Sequence, residues 1–278
     1  METKPSTDVQ FTPYEISFCL YDNDRTKQWK QAIEDVVKDG DVVVDAGAGT
    51  GILGVFAALD EAKMVYSIEL QPRFCKLIAN LAKKNNVSNK IQVINADATT
   101  VILPEKIDVL ICELLCTGQF FEPEVQVVNH LRKFFKPDTR IIPYRIESFI
   151  QLLDAHEILY GVRIDTDSRS LLMPDDEFVS NKVRYDVIDL TTPTKTFVDT
   201  KVVVKARKNR IADAVVITGQ AFLTEDIVTE KTKFLYNPEV IYLKNPIQLE
   251  KDKLYQIHIA YHYGCDTLDA TIEVTLVQ

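Results

Sequence analysis

Glycines and an acid follow the first strongly apolar run of the chain, in a pattern that favours binding of a small ligand. The stretch VVVDAGAGTGILG, residues 42–54, reaches Asp45 and then has a glycine at every second position. Those glycines are Gly47, Gly49 and Gly51. Glycine lets the backbone turn tightly and leaves no Cβ in the way of a ligand. The stretch therefore predicts a nucleotide-type pocket between a strand and a helix.

The spacing of these glycines limits which nucleotide the pocket can bind. The order is G-x-G-x-G, whereas a dinucleotide site has G-x-G-x-x-G. No Lys-Ser or Lys-Thr follows, which excludes a phosphate-binding P-loop. Glu69 ends the next apolar run, where an acid can accept both ribose hydroxyls, and Asp97 closes the third run. We expect a small ligand with a ribose that is uncharged or cationic.

The hydrophobic pattern predicts different kinds of secondary structure in the two parts of the chain. From Val42 to about Glu113, apolar runs of strand length alternate with amphipathic helical stretches, which is typical of a parallel sheet with crossover helices. After Pro143 the apolar residues alternate with period two, which predicts antiparallel sheet closed as a β-barrel or stacked as a β-sandwich. The predicted fold is an α/β domain over residues 1–142, with an N-terminal helical segment, followed by a β domain over residues 143–278.

The charge and residue content of the chain indicate which partners and metal sites to expect. The formal net charge of −9 disfavours nucleic acid and anionic membranes and favours a cationic partner. The five cysteines and four histidines have no metal-site spacing, so we expect no metal and reduced thiols. Residues 1–10 contain no apolar run and no later segment is long enough to span a membrane, so we expect a cytoplasmic protein. The basic run KARKNR, residues 205–210, is interpreted as a solvated hairpin tip rather than an RNA contact.

Residues 41–113 resemble the first motifs of the class I S-adenosylmethionine-dependent methyltransferases, an α/β family with a Rossmann-like domain. The resemblance implies S-adenosyl-L-methionine as cofactor, with Asp45 beside its methionine moiety and Glu69 holding its ribose. The residues that it implies near the cofactor also include Gly47, Gly49, Gly51 and Asp97. For Asp97 the alternative is a carboxylate that caps a turn after the strand.

The segment after the fourth predicted strand, CELLCTGQFFEPE, resembles the double-glutamate loop of the protein arginine N-methyltransferases. The Pro-Pro-aromatic motif of methyltransferases that act on exocyclic amines of bases is missing there. The resemblance implies that Glu113 and Glu122, nine residues apart, are catalytic and clamp a guanidinium. A guanidinium is planar, permanently charged and a poor nucleophile, so two carboxylates can orient one nitrogen and increase its electron density. Upstream, the stretch LYDNDRTKQW implies that Arg25 faces the cofactor's carboxylate.

Some features of the chain depart from the arginine methyltransferase pattern. The family's Thr-His-Trp loop is replaced by YNPEVIY, residues 236–242, and the segment that would hold the dimerisation arm is short, which leaves a homodimer open. Glu122 has a second interpretation as an acid in the first turn of a helix. The predicted function is methyl transfer to arginine in a cationic protein or peptide, or to a small guanidino compound. The alternatives are transfer to RNA or another amine, and a catalytically weak partner that regulates an active homologue.

Overall fold

The computed structural model describes residues 12–155, 158–163 and 166–277. The predictions that rest on residues 1–10 therefore lie outside the described residues. Five α-helices lie in the first half of the described chain. They are α1 (Pro13–Tyr21), α2 (Asn23–Val36), α3 (Ile52–Leu59), α4 (Pro72–Lys84) and α5 (Glu124–Leu131). Pro72 begins α4, where its missing N–H costs no hydrogen bond.

A five-stranded parallel sheet forms the first half, as the alternating pattern predicts. Its strands are β1 (Val42–Ala46), β2 (Met64–Glu69), β3 (Ile91–Asn95), β4 (Ile107–Cys112) and β5 (Phe135–Ile142). Their order across the sheet is β3-β2-β1-β4-β5, and all four pairings are parallel. Every residue of β1 is buried because helices cover both faces.

The order of the strands changes direction between β1 and β4. Strands β2 and β3 lie on one side of β1, whereas β4 and β5 lie on the other. Ala46 pairs with Cys112, so the residues that follow the two strands leave the sheet side by side. In open α/β sheets, ligands bind at such a switch point beyond the carboxyl ends of the strands. The turn after Ala46 and the loop after Cys112 therefore form the walls of the candidate site.

Antiparallel sheets follow β5 after a cis peptide bond between Ile142 and Pro143. The described strands of this half are β6 (Arg145–Asp154), β7 (Ile158–Leu159), β8 (Val162–Arg163), β9 (Ser168–Arg169), β10 (Glu177–Phe178), β11 (Val183–Asp189), β12 (Phe197–Lys205), β13 (Ile211–Phe222), β14 (Val228–Thr229), β15 (Glu239–Gln248), β16 (Leu254–His262) and β17 (Thr271–Leu276). They pair in a seven-stranded sheet, a three-stranded sheet and a two-stranded hairpin. The predicted antiparallel sheet is confirmed, but the described strands form no closed ring, so a barrel is not shown.

Aromatic and polar contacts attach the loop after β4 to the antiparallel half. The ring of Phe120 stacks on Tyr261 of β16 with 4.3 Å between centroids. The Tyr261 hydroxyl donates to the Gly118 carbonyl oxygen at 2.6 Å. On the following helix, the Gln126 amide donates to the Tyr263 carbonyl oxygen, also at 2.6 Å. Both halves of the chain therefore hold the acceptor loop, residues 113–122.

Ion pairs hold the basic run between β12 and β13. Lys208 lies 2.8 Å from a Glu177 oxygen, and Arg210 lies 3.3 Å from the other. The run therefore contributes contacts to β10 in addition to solvated charge. Among the described residues, no helix is long and apolar enough to cross a membrane. The same residues bring together no three His, Cys, Asp or Glu side chains suited to a metal ion.

Candidate cofactor and acceptor site

The glycine turn after β1 has left-handed backbone at all three predicted positions, with φ of 71° at Gly47, 52° at Gly49 and 80° at Gly51. A Cβ on Gly47 would lie 2.5 Å from Leu114 Cδ2, and a Cβ on Gly51 would lie 2.9 Å from Ile78. At these two positions glycine is therefore required by φ and by packing against the protein itself. The tight turn that the sequence predicts is present, and contact of these glycines with the cofactor stays a prediction.

Asp45 is a buried carboxyl at the end of β1. Its Oδ2 accepts the Gly54 N–H of α3 at 2.9 Å, and its side chain is 2% exposed. Burial, together with the charges of Glu69 and Glu113, raises the pKa of Asp45 to about 7, although the Gly54 hydrogen bond opposes the shift. Asp45 therefore lies close to the two acids that end the neighbouring strands.

Glu69 connects the end of β2 to the glycine turn. One carboxylate oxygen accepts the Gly49 N–H at 2.8 Å, and the other accepts the Gln71 N–H at 2.8 Å. Burial raises the pKa of Glu69, although these backbone hydrogen bonds oppose the shift. Each carboxylate oxygen has more than one acceptor direction. Glu69 thus has a fixed orientation and keeps acceptor capacity for hydroxyl groups, as the predicted ribose contact requires.

Asp97 lies two residues beyond the end of β3 at Asn95. Its Oδ1 accepts the Thr99 backbone N–H at 2.8 Å and the Thr99 hydroxyl at 2.7 Å. This contact is the turn cap that the sequence offered as an alternative. Its participation in cofactor binding stays a prediction.

Arg25 is buried at the start of α2 and forms an ion pair with Glu113 through Nη2. Nη1 donates to the Cys19 carbonyl oxygen at 3.2 Å, whereas Nε is buried and has no partner within the described chain. Burial lowers the pKa of Arg25, but the charge and hydrogen bond of Glu113, together with the charges of Cys19 and Asp22, raise it by more. The sequence did not predict this pairing between the proposed cofactor ligand and the first acceptor carboxylate. Contact of Arg25 with the cofactor's carboxylate stays a prediction.

Glu122 lies at the other end of the acceptor loop, before the Pro123 that caps α5. Helix α5 begins at Glu124, so the interpretation of Glu122 as a first-turn helical acid is wrong. Burial and, to a smaller extent, the nearby charge of Glu113 together raise the pKa of Glu122 to about 8. The two carboxyl groups are therefore close enough to repel each other when both are ionised.

Two buried polar residues beside the loop were missed by the sequence analysis. Glu124 is 0% exposed, and its Oε2 accepts the Leu114 N–H at 2.9 Å. Tyr236, from the segment that replaces the Thr-His-Trp loop, has a buried hydroxyl without a partner among the described residues. Glu124 stands only two positions after Glu122, but residue type and spacing alone do not reveal which of the two is enclosed.

The charge of the site fits a cationic cofactor. The carboxyl groups of Asp45, Glu69, Glu113 and Glu122 lie close together at this edge of the sheet. The guanidinium groups of Arg25 and Arg73 lie near them. S-adenosylmethionine carries a sulfonium and an ammonium, which the acids attract, and a carboxylate, for which the unpartnered Nε of Arg25 is a buried donor. The residues present therefore fit this cofactor.

Comparison with known proteins agrees with this assignment. The TRM5/TYW2 methyltransferase domain family matches residues 15–132. The uncharacterized protein MJ1452 of Methanocaldococcus jannaschii is 35% identical over 252 residues, which cover 89% of this chain and 91% of that protein. Protein arginine N-methyltransferase 6 of Xenopus tropicalis is 32% identical over 149 residues, 52% of this chain and 43% of that protein.

Solved structures share the fold over nearly the whole chain. The Trypanosoma brucei PRMT1 enzyme-prozyme heterotetrameric complex with AdoHcy has a chain with a TM-score of 0.75, 17% identity, and coverage of 95% of this chain and 98% of its own. Arabidopsis thaliana protein arginine methyltransferase 10 gives a TM-score of 0.72 at 16% identity, with the same coverage. The chain is therefore a class I S-adenosylmethionine-dependent methyltransferase that belongs to one family with MJ1452 and resembles the protein arginine N-methyltransferases.

Proposed function

We propose that this methyltransferase transfers the methyl group to a guanidino nitrogen of arginine in a protein or peptide. The observation that carries the proposal is the pair Glu113 and Glu122 at the two ends of one loop beside Asp45 and Glu69. Glu122 has its pKa raised to about 8, in part by the charge of Glu113. A pair of acids that repel each other in the free protein is stabilised when a cation lies between them.

Glu113 and Glu122 have different proposed roles, because only Glu113 forms an ion pair within the described chain. Glu113 is ion-paired with Arg25, which fixes its orientation and offsets its charge. Glu122 has no side-chain hydrogen bond or ion pair within the described chain and so keeps its carboxylate for the acceptor. We therefore assign Glu113 to orienting the guanidinium and Glu122 to holding most of its charge.

Methyl transfer to a guanidinium requires positioning and a route for one proton. When bound, S-adenosylmethionine supplies a methyl group on a sulfonium, an electrophile that needs no metal. A nitrogen lone pair forms the new N–C bond as the C–S bond breaks, and the nitrogen then releases one proton. Glu122, with its pKa of about 8, is suited to accept that proton near neutral pH. Correct alignment of the nitrogen with the methyl group supplies much of the rate.

A methyl-transfer assay with labelled cofactor tests this proposal. The acceptors are an arginine peptide, the same peptide with lysine at that position, free arginine and total RNA, each followed by analysis of the labelled product. Methylarginine in the peptide supports the proposal. Labelled RNA or methyllysine would overturn it in favour of another acceptor. A chain that binds cofactor tightly but labels none of them would instead be the regulatory partner that the missing Thr-His-Trp loop suggests.

We further propose that the chain acts as a homodimer. The Trypanosoma brucei neighbour is described as a heterotetrameric complex, so its fold is compatible with assembly. In this chain Tyr160 and Val162, in the β7–β8 hairpin, have exposed apolar side chains. In the proposed dimer these two side chains contact the other subunit. Light scattering of the purified chain measures the mass, and replacement of Tyr160 and Val162 by serine should yield the monomer.

A further inference from the structure

Glu124 is a third carboxyl group beside the acceptor loop, and its contacts lie on both sides of Glu113. Its Oε2 accepts the N–H of Leu114, the residue after Glu113, at 2.9 Å. Cys112, the residue before Glu113, is also buried, and its thiol opposes the rise in the pKa of the Glu124 carboxyl. Glu124 therefore holds the backbone after the first acceptor acid and lies near the side chain before it.

The other oxygen of this carboxyl group has no partner. Oε1 of Glu124 is buried, and no described residue donates a hydrogen bond to it or forms an ion pair with it. An ionised carboxylate in that position would leave a full negative charge unpaired in the interior, at a cost of several kcal/mol. A protonated carboxylic acid avoids that cost and still accepts the Leu114 N–H through its carbonyl oxygen.

The charges of Glu113 and Glu122 also disfavour ionisation of Glu124, whereas the Cys112 thiol opposes that effect on its pKa. The titratable groups coupled to Glu124 are Cys112, Glu113, Cys116, Glu122 and Tyr236. None of these five carries a positive charge. Burial, together with the charges of Glu113 and Glu122, raises the pKa of Glu124 well above its ordinary value. The cation that pairs with this loop, Arg25, bonds to Glu113 instead.

We propose that Glu124 acts as a neutral carboxylic acid that positions Glu113 for the acceptor without adding a third negative charge to the site. This role rests on the proposed function, since it assumes that Glu113 orients the acceptor. It divides three glutamates within twelve residues into two kinds. Glu113 and Glu122 work through their charge, whereas Glu124 works through its shape and its hydrogen bonds.

Replacement by glutamine separates these roles. Glu124→Gln keeps a carbonyl oxygen for Leu114 and stays neutral, so we expect kcat and KM within about threefold of the wild type and an unchanged pH profile. Glu124→Met has similar length but removes the acceptor of the part-buried Leu114 N–H, so kcat should fall at least about tenfold while cofactor affinity is kept. Glu105→Gln is the matched control, because Glu105 accepts a hydrogen bond from Tyr66 away from the loop.

Two activity results would overturn the inference. Glu124→Gln with a loss as large as that of Glu122→Gln would show that Glu124 acts through its charge. Glu124→Met with wild-type kcat would show that it positions nothing. These comparisons use whichever acceptor the chain methylates. An acceptor other than arginine would overturn the proposed function, but the kcat values of the variants would still test the role of Glu124.

Infrared spectroscopy gives a measurement that needs no acceptor. At about pH 9, Asp45 and Glu122 are mostly ionised, given pKa values of about 7 and about 8. The spectrum of the wild type should then retain the carbonyl band of a protonated carboxylic acid, and Glu124→Gln should lack that band. A wild-type spectrum without the band at this pH would refute the neutral carboxylic acid, even if arginine proves to be the acceptor.

Discussion

Replacement of Glu122 by glutamine tests the acceptor site most directly, because its effect should depend on pH in a way that the structure specifies. With a pKa of about 8, roughly a tenth of Glu122 is ionised at pH 7 in the free protein. If the ionised form binds the cationic acceptor, kcat/KM of the wild type should rise about tenfold between pH 7 and pH 9. The variant has no charge to gain and should show no such rise.

The size of the loss follows from the burial of this carboxyl group. Removal of one partner from a buried ion pair costs about 3–5 kcal/mol, which corresponds to roughly 10²- to 10⁴-fold in kcat/KM above pH 9. At pH 7 the wild type itself loses about 1.4 kcal/mol by protonation, so the difference shrinks to about 15- to 450-fold. Initial rates at saturating cofactor over this pH range measure both numbers. Glu105→Gln serves as the control for loss of a glutamate charge elsewhere.

The same substitution should stabilise the free protein. The folded pKa of Glu122 lies above its ordinary 4.5, so the folded state binds a proton that the unfolded state has already lost. The stability of the wild type therefore falls as pH rises from about 4.5 to about 8, by at most on the order of 5 kcal/mol. Denaturation at pH 8.5 without ligands should give Glu122→Gln the higher midpoint. A lower midpoint, together with a wild-type pH profile in the variant, would refute this account of Glu122.

Three further substitutions probe the cofactor side of the site. Arg25→Ala should weaken S-adenosylmethionine more than methylthioadenosine, which lacks the carboxylate, by up to about a hundredfold in calorimetric titration; equal losses would mean that Arg25 acts through folding of α1 and α2. Glu69→Gln should weaken cofactor binding by about 10- to 100-fold, because the NH2 group that replaces one oxygen cannot accept and leaves one of the two backbone N–H groups unpaired; unchanged titration would exclude a ribose contact. Gly47→Ala should lower the free energy of unfolding by about 1–3 kcal/mol and reduce kcat, since its Cβ would lie 2.5 Å from Leu114 Cδ2. Gly40→Ala, with φ of 83° and open space around its Cβ, measures the backbone strain alone.

The parallel sheet was predictable because its determinants are local. Strands buried on both faces must be apolar along their whole length, and the runs at β1, β2 and β4 have that composition. The positive φ after β1 requires glycines, and acids that end neighbouring strands must meet at one edge. These features predicted the fold, and the family resemblance of the same residues implied the cofactor; the comparisons confirm both. The sequence did not show whether the antiparallel half closes into a barrel, because closure depends on pairing between distant strands.

Within the site, the sequence by itself determined which chemical groups are present and roughly where they emerge from the sheet. Glu113 must follow β4 and Asp45 must end β1, since each directly terminates an apolar run. Only the tertiary structure decided how these groups are paired. Arg25 lies 88 residues from Glu113 in the chain, and no local pattern relates them.

The tertiary structure also decided the charge of each acid. Glu122 and Glu124 are two residues apart and have the same side chain, but only Glu124 is completely enclosed and binds the Leu114 N–H. The charge of a carboxyl group depends on how much water it loses and which charges surround it. Both quantities are set by the packing of α5, α1 and the segment around Tyr236 from the antiparallel half, which the sequence of the loop does not contain.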